Sequence, residues 1–490
     1  MSQDNPVMAE STPAAVGGAP EVGANLRGHM STADLIFTVL AVAAPLAVVS
    51  GVFPLVIAFS GGWSILAYAV TIVLLILFAL SMASMAKYLP RPGAFYAFVT
   101  AGLGKRFGLG GGFLSLFAYW LVTTSTYAFL GSALQRLVIA FGGPDIPWFV
   151  YAYAGLGLVM ALTYLNIQLS AKVMSVVMTL EVILVLIANF AVGVQADLSV
   201  LAPARLFADP GLLTTFPLAM IFVILGFIGF ESTAIFREEA RDPDRTIPRA
   251  MVLAVVLIGV FYLFSILMVL AAFGPEEALN LSLTDPAALF DGLVETYLGA
   301  IAVQVLAVLL TTSVLAAMIA LQNMLVRYVY SFARDGLLPA SMARVHKKHG
   351  SPHVSAIVTG IWVGLLTVVF FVSPGDPMFL YGQMSGAGTW TLLVLMTLVS
   401  AAVMVHFIRT PIAGASIFNT RVAPVLSTLG LGFVLVYAVT EMSLLTGLEG
   451  AWAIVFILVV LAVLVAGILL ATRLRTKRPD IFRKIGRQEG

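Results

Sequence analysis

The chain has 490 residues, of which 60% are hydrophobic and 10% charged, against roughly 45–50% and about 25% in soluble globular domains. That balance excludes a soluble globular protein and leaves an integral membrane protein, long enough for about twelve spans of roughly twenty residues. The net charge of +2 says little as a sum, no nucleic-acid partner is expected, and the absence of cysteine removes disulfides, thiolate metal sites and thiol nucleophiles.

The first 25 residues are rich in Ala, Pro, Gly and Ser, with Asp4, Glu10 and Glu21 but no Lys or Arg. A secretory signal needs a basic start, a short apolar core and a cleavage site, so residues 1–30 are expected to form a disordered cytoplasmic tail. Apolar runs then fall at 34–60, 63–88, 108–139, 148–167, 172–195, 212–237, 247–273, 297–331, 354–373, 378–407, 422–446 and 450–472. Twelve spans with both ends inside put all but two of the 26 Lys and Arg on the cytoplasmic side, the exceptions being Arg136 and Arg205. That is the positive-inside tendency of a multi-pass protein of the cytoplasmic (inner) membrane. The acidic 275–297 loop falls outside, and the basic tail 474–490 inside.

Two of these runs are interrupted. Span 1 carries Ala43-Ala44-Pro45 and then Val49-Ser50-Gly51-Val52-Phe53-Pro54. Proline removes a backbone donor and clashes with the preceding turn, which predicts a break near Ala41–Pro45. Span 6 carries Gly226-Phe227-Ile228-Gly229-Phe230-Glu231-Ser232. Its two glycines loosen a helix, and Glu231 sits at a depth where a charge costs roughly 2.5–3.5 kcal/mol. Interrupted segments five spans apart point to an inverted repeat with its site at the midplane. Repeat one is then 34–195, repeat two 212–409, and the last two spans, 421–472, stand outside.

The stretch from Gly226 through Arg237-Glu238-Glu239-Ala240-Arg241-Asp242-Pro243-Asp244-Arg245-Thr246-Ile247-Pro248-Arg249 resembles the sixth membrane helix of the amino acid–polyamine–organocation permeases, amino acid permease type. That helix reads Gly-Phe-Glu, then Glu-Glu and Asn/Asp-Pro-x-Arg-x-Ile-Pro-Arg. Ser50, Gly51, Val52 and Phe53 match the family's first helix, although Ala43, Pro45 and Val49 replace three of its glycines. Pro90-Arg91-Pro92-Gly93-Ala94-Phe95-Tyr96 and Arg334-Asp335-Gly336-Leu337-Leu338-Pro339 resemble its inner loops. The resemblance implies an all-α membrane protein with twelve transmembrane helices, a LeuT-like 5+5 inverted repeat plus two C-terminal helices, over residues 31–473. It also implies a secondary active carrier of amino acids or related amines, working by alternating access and needing no cofactor.

Unpaired N–H groups at half-helix starts suit a substrate carboxylate, and freed carbonyls suit an ammonium. The substrate-binding candidates are therefore Ala44, Pro45, Ser50 and Gly51 at the first break and Gly226, Phe227, Gly229, Phe230 and Glu231 at the second. Tyr119 and Thr123 join them from a polar-aromatic patch on span 3, which lines the pocket in the family's fold. Glu231 reads as a proton-binding or substrate-sensing carboxylate, or else as a structural acid. At Glu181 many family members carry a lysine whose ammonium stands where sodium sits in sodium-coupled relatives. A carboxylate there could bind a proton, ligate sodium or pair with a cationic substrate. Thr311 and Thr312, with Ser313, offer hydroxyls where sodium-coupled members place ligands, but such residues are also ordinary packing groups. Leu225 stands at the family's aromatic gating position.

The five histidines show no metal-ligand spacing, so no metal site is assigned. Neither His-Glu-x-x-His nor a nucleotide-binding Gly-x-x-x-x-Gly-Lys-Ser/Thr loop is present, which argues against an enzyme or a pump with its own ATPase. With two buried acids, proton coupling is the expectation. Sodium coupling, exchange, and a sensor that binds without transporting remain the alternatives.

Overall fold

In a computed structural model of the chain, residues 31–88, 95–165, 171–231, 233, 240–346, 349–372, 375–412 and 414–486 are described. The N-terminal tail, the loop 89–94, Ser232 and the charged run 237–239 lie outside them. The described residues form helices and no strand.

The first apolar run is two helices, α1 (Thr32–Ala43) and α2 (Pro45–Gly51). Ala44 between them takes a left-handed conformation, φ 46°, the one non-glycine residue among those described to do so. Pro45 then has no N–H with which to continue the ladder. Beyond it, α2 runs on into α3 (Phe53–Ser60), with Val52 N–H on Val48 O at 2.8 Å and Val56 N–H on Val52 O at 3.0 Å. A turn at Gly61 leads to α4 (Ser64–Tyr88), followed by α5 (Phe95–Leu103), α6 (Lys105–Ala140), α7 (Trp148–Tyr164) and α8 (Ala171–Gln195).

The second half opens with the short α9 (Pro203–Leu206) and α10 (Phe216–Leu225), which stops at the Gly226–Glu231 break. Pro243 starts α11 (Pro243–Phe273), because a proline at the first helical position gives up only an N–H that would have no partner anyway. Two helices, α12 (Pro275–Thr284) and α13 (Ala288–Leu298), fill the acidic loop before α14 (Ala300–Arg334). Then come α15 (His353–Leu366), α16 (Val369–Val372) and α17 (Pro377–Arg409), the last capped by Asp376, which accepts from Met378 N–H at 2.8 Å. The chain closes with α18 (Ala423–Thr440), α19 (Met442–Thr446), α20 (Ala451–Lys477) and α21 (Pro479–Lys484).

Among the described residues, eight helical stretches are long and apolar enough to cross a membrane. One of them, Pro45–Tyr88, joins two runs that the sequence separates; Trp148–Tyr164, Phe216–Leu225 and His353–Leu366 are shorter apolar helices.

At the centre is α6, packed against α5, α7, α14, α17 and α20, while α4 lies on α11 and α18. Lipid gives no hydrophobic drive to pair helices, so close approach of small residues does that work. A Cβ on Gly102 of α5 would lie 2.0 Å from the backbone oxygen of Ala402 on α17. The basic segment after 474, expected as a tail, is helix to Lys477 and again in α21. Lys105 Nζ donates to the carbonyls of Phe482 and Arg483 at 3.1 and 2.7 Å, and Gly486 N–H to the Tyr96 hydroxyl at 2.9 Å.

At the opposite end, Arg136 Nη1 meets Asp291 Oδ2 of α13 at 2.6 Å and the Ala287 carbonyl at 3.0 Å. Burial pushes the Asp291 carboxyl above its ordinary range, and Arg136 opposes that. A carboxyl raised in the folded state favours folding while protonated, and that contribution is lost as pH rises through the carboxylate range. Arg136→Gln is therefore expected to destabilise by roughly 1–3 kcal/mol near neutral pH and by less around pH 4. Thermal unfolding in detergent checks this; a deficit that grows in acid would break the assignment. The same assay should show Gly102→Ala losing about 1–3 kcal/mol by overpacking, with Gly157→Ala, where a Cβ meets nothing within 4 Å, as the neutral control.

Candidate functional site

A broken helix must hand its freed backbone groups to other partners. At the first break Pro45 has no N–H to offer, and the next one, Leu46 N–H, faces the carboxylate of Glu181 on α8. Ser313 Oγ of α14 donates to the same carboxylate at 2.8 Å. Glu181 is buried, and it ties α2, α8 and α14 together.

The second break is built alike. After Leu225 the turns tighten, with Phe227 N–H on Ile224 O at 3.0 Å and Ile228 N–H on Leu225 O at 3.2 Å. Gly229 then takes φ 115°, where a side chain would be strained. Its N–H donates to Glu231 Oε2 at 2.9 Å, and the Tyr119 hydroxyl of α6 donates to Oε1 at 2.5 Å. Tyr119 in turn stacks on Tyr328 of α14, ring centroids 5.8 Å apart. Each break thus presents an N–H to one buried carboxylate, donating at Glu231 and facing Glu181, and each carboxylate accepts a hydroxyl from a neighbouring helix.

The breaks also touch. A Cβ on Gly226 would lie 3.0 Å from Val48 of α2, and one on Gly51 would lie 2.8 Å from the Phe129 ring of α6. Phe227 sets its ring edge-on to Tyr262 of α11 at 5.7 Å, and Phe230 to Phe78 of α4 at 6.1 Å. Phe53 packs against both Tyr68 and Tyr262, at 5.4 and 6.0 Å. The hydroxyls of Ser50, Tyr68, Thr123, Tyr127 and Tyr262 are buried with no hydrogen-bond partner among the described residues. Buried hydroxyls are normally paired, so these five are left with unused hydrogen-bonding capacity.

The structure therefore brings Ala44, Pro45, Ser50, Gly51, Gly226, Phe227, Gly229 and Glu231 into one neighbourhood, with Tyr119 on the acid. The three hydroxyls of span 8 separate. Thr311 Oγ1 donates to Ala133 O at 3.3 Å, and Thr312 is exposed and bonds back to Val308 O at 3.0 Å. Ser313, not Thr312, meets Glu181. Leu225 is buried where α10 ends. Sequence reasoning did not single out Tyr68, Tyr262, Phe129 or Tyr328; a tyrosine in a largely aliphatic span was the available signal. Of the five histidines, His346, His349 and His353 gather around Tyr164. No group of three or more His, Cys, Asp or Glu among the described residues could hold a metal.

Paired helix breaks in a bundle of apolar helices, with buried acids at the breaks, define a membrane carrier. A family model described as amino acid permease matches residues 35–482, and the chain belongs to that family. It is 25% identical over 349 residues to the low-affinity putrescine importer PlaP of Escherichia coli K12, covering 70% of this chain and 73% of that one. It is also 25% identical over 366 residues to the branched-chain amino acid permease BcaP of Lactococcus lactis, covering 69% and 74%. In fold it is similar to MhsT, solved in complex with L-phenylalanine, with TM-score 0.57 at 16% identity over 84% of this chain and all of that one. The chain has the LeuT-like fold and is a multi-pass transporter, not an enzyme.

Removing one donor from each acid tests the closure. Tyr119→Phe and Ser313→Ala should each cost roughly 1–3 kcal/mol in thermal unfolding. Combining Tyr119→Phe with Glu231→Ala should cost less than the sum, since each removes the same bond. Strict additivity would show that the bond contributes nothing.

Proposed function

We propose that the protein is a secondary active permease for amino acids or related amines, working by alternating access, with Glu181 and Glu231 as its coupling groups. The observation that carries this reading is the closure of each break by one buried carboxylate. A carboxylate accepts from both of its donors at once. A protonated carboxyl must turn its own O–H towards something, which disturbs one of those bonds and loosens the break. Proton binding then becomes a mechanical event at the hinge of a half-helix, which is what alternating access needs.

Substrate class follows from the same charges. Both amino acids and amines carry an ammonium, which the two acids complement, and the relatives include a putrescine importer and a branched-chain amino acid permease. The free hydroxyls of Tyr68, Tyr127 and Tyr262 would complete the recognition. In the bilayer we place twelve spans with both termini cytoplasmic, because that arrangement leaves only Arg136 and Arg205 of the Lys and Arg outside.

The test is reconstitution into liposomes containing a pH-sensitive dye, with a mixed pool of amino acids and amines added outside. Lumenal acidification that starts with substrate is expected, and splitting the pool identifies the ligand. Glu181→Gln and Glu231→Gln should each cut pH-driven uptake to below about a tenth, a loss of at least roughly 1.4 kcal/mol, while the protein still inserts. Full pH-driven uptake by both variants would overturn the assignment. Uptake driven only by sodium would make Glu181 and Ser313 sodium ligands instead, and binding without flux would mark a sensor.

A further inference from the structure

Away from the breaks, a cavity of about 890 Å³ lies where α4 ends and α11 begins. Its two walls repeat one order. On α4, Lys87 stands at the helix end, Ser84 one turn in and Leu80 two turns in. On α11, Arg245 and Arg249 stand at the start, and Val252, Leu253 and Val256 follow towards the middle. Spacings of three and four residues put each set on one helix face. Thr32 of α1 and Asn419 add a hydroxyl and an amide to the lining.

The charges are unbalanced and accessible. Lys87, Arg245 and Arg249 are exposed, and Asp244 is the one acid in the lining. Arg249 makes no ion pair among the described residues. Arg245 approaches Asp242 only at 3.9 Å, and Lys87 leans over the Tyr88 ring at 5.2 Å. A small soluble anion would use these cations and leave the apolar walls, about 16 Å long from Arg245 to Val256, without a role. A molecule with an anionic head and a hydrocarbon tail uses both. Leu253, 43% exposed, opens that wall to the outer face of the bundle, where lipid lies.

We propose that this groove binds an acidic phospholipid of the inner leaflet. The phosphate sits among Lys87, Arg245 and Arg249, and an acyl chain runs along Leu80, Val252, Leu253 and Val256. The choice of leaflet rests on the topology proposed above; the recognition chemistry does not. Thr32 opens α1, the half-helix that ends at the Ala44 break, so the bound headgroup touches an element that has to move.

The full chain, purified and embedded in nanodiscs of equal phosphatidylcholine and phosphatidylglycerol, is washed in detergent, and its retained lipids are counted by mass spectrometry. Wild type should retain phosphatidylglycerol preferentially. Lys87→Gln and Arg249→Gln should each lower that retention roughly fivefold, and Arg249→Lys should restore most of it. Leu253→Trp fills the apolar wall and should lower retention without a change in charge. Equal retention of the two lipids by wild type, or unchanged preference in the variants, would overturn the proposal. So would displacement by soluble glycerol phosphate as effective as by lipid, which would mark a site for a free anion. Because the chain has no cysteine, a single Thr476→Cys reports sidedness by an impermeant maleimide. Labelling from outside would overturn the leaflet, and the topology with it, while leaving the lipid preference to stand on its own.

Discussion

A helix cannot stop inside hydrocarbon unless something takes its freed N–H groups, each of which costs several kcal/mol if left bare. A carboxylate buried alone is costlier still. This chain sets the two costs against each other, twice. Leu46 N–H at the first break faces Glu181, and Gly229 N–H at the second donates to Glu231. Neither feature is tolerable without the other, so breaks and acids form one unit. The second donor on each acid fixes where that unit sits: Ser313 ties Glu181 to α14, and Tyr119 ties Glu231 to α6.

Through these donors α14 reaches both breaks. Ser313 touches one acid directly, and Tyr328, roughly 22 Å further along at 1.5 Å per residue, stacks on the tyrosine that holds the other. A continuous helix of this length, Ala300–Arg334, is a stiff strut. A change at one break that shifts α14 is therefore felt at the other. In the proposed cycle this lets a proton or an ammonium at one acid alter the closure at the second without direct contact between the two carboxylates.

The fold and the breaks were legible in the sequence because their signals are local. Pro45 cannot continue a ladder and Gly229 tolerates a positive φ, and both act within a few residues. The acids were legible because a carboxylate in an apolar run is rare. Their partners were not. Thr311, Thr312 and Ser313 are consecutive, and successive helix residues point about 100° apart, so only one of the three could face Glu181. Which one depends on the rotation of α14, set by packing against α6, α7 and α8. Tyr68 and Tyr262 read like any packing aromatic until their hydroxyls are seen to lack partners. The segment after 474 read as a basic tail because its charges outnumber its apolar residues. Yet Phe482 and Ile485 are enough to seat it against Tyr96 and Leu109.

The sign of residue 181 decides which side of the first break is held. An ammonium there, as the resemblance implies for many relatives, donates only, and would bond the carbonyls that end α1. It could not accept from Leu46 N–H, and it would face the positive end of the α2 dipole with like charge. Glu181 does the reverse: it faces the N–H at the start of α2. The Leu46 N–H that a substrate carboxylate would meet already faces a carboxylate. In the proposed function, a carboxylate facing the break complements the amine end of a ligand, so the charge at 181 would bear on what the site holds as well as on how it moves.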